Sequence, residues 1–78
     1  MRTKEEKLIV TFPSTAAAMA MERLAKELGT PGRLIPTPTL ITATCGLAWM
    51  APKEAEPVVQ NMLSENNLQH EFLGVLTL

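Results

Sequence analysis

The chain has no tyrosine, one tryptophan, two phenylalanines and one cysteine, and each shortage closes off a class of function. So few aromatics leave no platform on which bases stack. A single cysteine forms no intrachain disulfide, and with no CxxC pair and one histidine there is no zinc-type ligand set. The residues therefore imply no metal and no cofactor. An excess of either charge is also missing: seven basic against eight acidic residues leave a net charge of −1. Lys and Arg are scattered rather than striped, which disfavours nucleic acid as a partner. Long apolar runs are lacking as well, the longest being Ala16 to Met21, far short of a bilayer's thickness. The start of the chain is charged where a signal peptide carries an apolar segment, so no membrane partner and a cytoplasmic location are expected. No serine sits in a nucleophile elbow and no glycine-rich loop suits phosphates, so a conventional enzyme is the weaker expectation.

What remains suits one small ordered core. In 78 residues, 46% are hydrophobic and 19% charged, which fits a single domain over 1–78 with a frayed polar end at 1–6. Leu8, Val10 and Phe12 share one parity and Ile9 takes the other, predicting a first strand over Lys7 to Phe12 that is apolar on both faces. Pro13 stops it. Ser14 or Thr15 can cap a helix in which Ala17, Ala20, Met21, Leu24 and Leu28 recur at helical spacing, and Gly29 closes that helix. Arg33 to Pro36 is a short second strand, and Leu47 to Met50 a third. Pro52 to Glu54 open a second helix with Ala55, Val58, Val59, Met62 and Leu63 inside. Pro57 is tolerated only in its first turn. Asn66 and Asn67 end it, and Phe72 to Leu76 form a last strand interrupted by Gly74.

Strand, helix, strand, strand, helix, strand is the ferredoxin-like α+β order, βαββαβ: a four-stranded antiparallel sheet with two helices on one face. In it the first and third strands are central and antiparallel. The start of the third strand thus lies beside the end of the first, and Cys45 beside the N-terminus of the first helix. Unpaired amides there favour a thiolate.

Cys45 is accordingly the residue on which chemistry is expected, although the commonest fate of a free cysteine is to fill space as a small apolar side chain. It closes a loop that runs from Thr37 to Thr44, longer than a hairpin needs. Thr42 and Thr44 have hydroxyls to offer a thiolate or persulfide, Ser14 and Thr15 lie at the helix start, and Gly46 lets a partner's backbone come close. Threonine equally suits strand ends, and glycine a bulge. Three residues are weaker candidates. Thr37 opens the loop; His70 begins the last strand, about 10 Å off by strand spacing; Arg33 starts the second strand at the opposite edge, where a solvated arginine is ordinary.

Phe12-Pro13-Ser14-Thr15, then Pro31-Gly32-Arg33-Leu34-Ile35-Pro36-Thr37-Pro38, then Cys45-Gly46-Leu47-Ala48 resemble the selenium or sulfur carrier protein-like family, with spacings kept from Lys7 to about Val75. The resemblance implies a ferredoxin-like domain whose matching cysteine, Cys45, carries sulfur or selenium as a persulfide or selenosulfide. Its partners would be sulfur- or selenium-donating and accepting proteins. Departures from the pattern are Thr42 and Thr44 in place of serines, Trp49, Pro57, and Asn66 with Asn67.

Two further roles stay open. One is a binding or homodimerisation module in which Cys45 is structural: the sheet face away from the helices is apolar, and such a face usually meets a partner or a second copy. The other, weaker, is a thiol-dependent enzyme.

Overall fold

A computed structural model describes residues 5–39, 41 and 44–77. Its elements are β1 (Glu6–Thr11), α1 (Thr15–Leu28), β2 (Arg33–Pro36), β3 (Leu47–Pro52), α2 (Glu56–Glu65) and β4 (Leu73–Thr77). The sheet order is β2-β3-β1-β4 and every neighbouring pair is antiparallel. This is an α+β fold with the expected ferredoxin-like order.

Helix α1 begins where Ser14 accepts a hydrogen bond from the Ala17 amide at 3.2 Å and ends at Gly29, whose left-handed backbone (φ 71°) returns an amide to Ala25 O. Ala18, Met21 and Ala25 form its buried stripe. In α2 the stripe is Val59, Met62 and Leu63, and Pro57 occupies the first turn, where its missing amide costs little. Pro52 belongs to β3 and Lys53–Ala55 make a short 3-10 turn, so α2 starts later than the apolar spacing suggested. Val58, expected inside, is 52% exposed beside the buried Val59, and Leu28, also expected inside, is 58% exposed in the last turn of α1. Both border one surface groove. Glu6, placed by the sequence in a frayed end, is paired with Thr77 in the sheet; residues 1–4 of that end lie outside the described residues.

The core lies between the helices and one face of the sheet. Leu8, Val10 and Phe12 of the first-strand segment are fully buried there with Trp49 and Ala51 of β3, each large side chain stabilising the fold by about 1.5–3 kcal/mol. Trp49 donates its indole N–H to Pro31 O at 3.3 Å. Gly32 makes room for it: its φ is +125°, and an added Cβ would lie 2.7 Å from Met50 O and against the indole.

The opposite face carries no helix, yet Ile9, Thr11 and Ala48 are buried on it. The Phe72 ring explains part of this, because it lies over Gly74, where an added Cβ would come within 2.8 Å of the ring. Gly74 pairs with Ile9 inside β4 rather than interrupting the strand, and the ring fills the place of its missing side chain. Ile35, Met50, Phe72 and Leu76 remain partly exposed.

Candidate functional site

The antiparallel β1–β3 register, with Thr11 opposite Ala48, brings the residues before β3 against the turn that follows β1. Cys45 Sγ therefore sits at the first turn of α1, 3.7 Å from the Thr15 hydroxyl oxygen. The Leu47 amide donates to the same sulfur at 3.4 Å. The thiol is 5% exposed and packs with the core cluster. A hydroxyl and an amide aimed at one sulfur can stabilise negative charge on it or on a sulfur atom attached to it. Ser14, by contrast, spends its oxygen on the Ala17 amide as the helix cap.

Two ties hold the backbone around the thiol. On one side, Thr37 donates its amide to Gly46 O at 2.9 Å and its hydroxyl to Cys45 O at 3.0 Å, extending the β2–β3 ladder by one step. On the other, Thr44 donates its hydroxyl to the Glu71 carboxylate at 2.8 Å and its amide to the same group at 3.3 Å. Thr44 was expected to offer that hydroxyl to the sulfur; it is turned to Glu71 instead. Glu71 is in turn fixed through its amide to Thr11 O at 2.8 Å, and the next amide, of Phe72, donates to the Thr11 hydroxyl at 3.1 Å.

The remaining candidates disperse. Gly46 is exposed, with an ordinary φ and nothing within 4 Å of a Cβ built on it, so the fold makes no demand for glycine there. Arg33 pairs with Met50 while Leu47 pairs with Pro36, so the arginine lies at the far end of β3 from Cys45. His70 is exposed and precedes β4, outside the strand. Thr42 lies outside the described residues. Glu71 went unnoticed in the sequence. Its signal was positional, since the topology brings the start of the last strand to the Cys45 edge. Two surface grooves, one around Arg23 and Asn66 and the other around Leu28 and Val58, include neither Cys45 nor its partners. Among the described residues, no helix is long and apolar enough to cross a membrane.

A family model described as "Putative Se/S carrier protein-like" matches residues 7–73, from within β1 to the first residue of β4. Comparison with curated proteins and with solved structures gave no match.

Proposed function

The chain belongs to the Se/S carrier protein-like family, and from that premise we propose that Cys45 is the atom-carrying residue of a sulfur or selenium carrier. In the loading step the Cys45 thiolate attacks the outer sulfur of a donor persulfide. A new S–S bond forms on Cys45, the donor's S–S bond breaks, and the donor leaves as a thiolate. The sulfane atom keeps its oxidation state, so neither oxidant nor reductant is consumed. Delivery repeats the exchange with an acceptor thiolate as attacker and Cys45 as leaving group. Selenium in place of the outer sulfur follows the same course.

One observation carries this proposal: Sγ lies between the Thr15 hydroxyl and the Leu47 amide at the start of α1. Both charged states of the cycle, thiolate and terminal persulfide, can only accept, so each gains from the hydroxyl and the amide at that point. Thr15 and Leu47 steady the sulfur, Ser14 fixes the helix start, and Thr37 with Thr44 and Glu71 hold the peptide. Gly46, next in the chain, leaves open surface space at its own position for a partner. A thiol awaiting a sulfane atom is best kept in a reducing cytoplasm, and the partners are the proteins that donate and accept the atom. Incubation with a small-molecule persulfide followed by intact-mass measurement tests the proposal. One added sulfur on the wild-type chain and none on Cys45→Ser is the expected pair; no gain on the wild type, with the thiol demonstrably free, sinks it.

The alternative is a homodimerisation module, favoured by the partly exposed Ile35, Met50, Phe72 and Leu76 on the helix-free face. Light scattering across a concentration series separates the two. A dimer lost on Met50→Glu and kept in Cys45→Ser supports the alternative, and a strict monomer removes it.

A further inference from the structure

Sulfane transfer needs a reachable sulfur, yet Cys45 is 5% exposed. Something must uncover it, and the two ties on its backbone differ in how readily they yield. The Thr37 tie is partly buried and continues the ladder of a β-hairpin. The Thr44 tie is made at the surface, with both partners exposed, to a single side chain. Water replaces such a contact with little loss, so it opens first. Its far end is anchored: the Glu71 and Phe72 amides are bonded to the main chain and hydroxyl of Thr11, which is itself 1% exposed.

We infer that Glu71 is a positioning residue that controls access to the thiol: its carboxylate clamps Thr44, the residue before Cys45, and release of that clamp lets Thr44 swing outward, hinged on the Cys45 and Gly46 carbonyls that Thr37 holds, and uncover the sulfur. Thr44 is the moving jaw and Glu71 the fixed one. The purpose of the clamp rests on the carrier function proposed above, but its action does not, because any small electrophile reports whether the sulfur is reachable. The chain holds one cysteine, so alkylation reads this site alone.

The test is the rate of alkylation of the folded chain by iodoacetamide in the wild type, Glu71→Ala, Thr44→Val and the double variant, with urea unfolding of each. Glu71→Ala, which removes both bonds, is expected to alkylate about five- to ten-fold faster, and Thr44→Val, which keeps the amide bond to Glu71, about two- to five-fold faster. The double variant should be no faster than Glu71→Ala alone, because that change already removes both bonds. Rates within about two-fold of wild type in both singles overturn the clamp, since that is the scatter of unrelated substitutions. Val59→Ala, a core truncation in α2 away from the loop, serves as a control for global unfolding. If it accelerates alkylation as much at equal loss of stability, exposure comes from unfolding and the clamp is again overturned. Loading with sulfane sulfur is read separately. A variant that alkylates faster yet gains no sulfur leaves the clamp standing and removes the carrier function.

Discussion

Thr15 and Cys45, thirty residues apart in the chain, meet at the start of α1 with Oγ1 and Sγ separated by 3.7 Å. The contact follows from an antiparallel register and a helix cap. Because β1 and β3 are adjacent and run opposite ways, the residue that opens the helix after β1 must face the residues that precede β3. The meeting is thus a property of the topology, and the hydroxyl is what this sequence adds to it.

Replacing Thr15 by Val keeps the shape and deletes that hydroxyl. The residue is exposed and stands at the first position of α1, so the fold is expected to persist. Uptake of sulfane sulfur should slow by about three- to ten-fold, the net worth of one ordinary hydrogen bond at a partly solvated site, and Thr15→Ser should restore it. Uptake by the Val variant at the wild-type rate would exclude the hydroxyl from the chemistry.

Much of this was legible in the sequence, and the misses share causes. Strand β2 matches the reading at both ends because Gly32 and Pro36 punctuate it. The nearness of Cys45 to Thr15 followed from element order alone. The Thr44–Glu71 contact did not, because it joins two side chains 27 residues apart with no periodic pattern to betray them. The inward face of β3 was equally hidden, since both parities are apolar; Pro31 and Gly32 decide it by accommodating the Trp49 indole on the helix side. Val58 was misplaced because two adjacent valines offer themselves to one stripe, and the line of Ala55, Val59, Met62 and Leu63 turns only the second inward.

Gly32 should be the least replaceable glycine. Its φ of +125° strains any residue with a side chain, and a Cβ there meets Met50 O and the indole at once. Gly32→Ala is expected to destabilise the fold by about 2–4 kcal/mol, combining backbone strain with overpacking. The chain has one tryptophan, so Trp49 fluorescence during urea unfolding measures the loss directly. A midpoint equal to that of the wild type would mean the 30–33 turn relaxes freely.

The ion pair between Glu6 and Lys53, 2.7 Å long, ties β1 to the turn before α2. The hydrogen bond from Lys53, and then its charge, hold the Glu6 carboxyl below the usual carboxylate range. The same bond and charge raise Lys53 above the usual lysine range. The Glu6 contribution is therefore present above the carboxyl's unfolded pKa and is lost as pH falls through its lower folded value. The Lys53 contribution is complete below the ammonium's unfolded pKa and is lost as pH rises through its higher folded value. Glu6→Gln should lower the urea midpoint slightly at neutral pH and in low salt, and not at all in strong acid. Because both groups are exposed, added salt should shrink the difference. A difference that persists unchanged in acid would assign it to packing instead.

Gly46 separates docking from chemistry, because its backbone is ordinary and a Cβ meets nothing within 4 Å. Gly46→Ala should leave the urea midpoint unchanged or raise it, since a less flexible unfolded chain stabilises by about 0.4–1 kcal/mol. A small persulfide should load Cys45 of this variant nearly as fast as the wild type. A protein persulfide donor should load it more slowly, because the methyl group occupies the space a partner's backbone would enter. Equal slowing with both donors would show that the glycine acts by letting the chain hinge rather than by admitting a partner, and equal rates with both would remove Gly46 from the site.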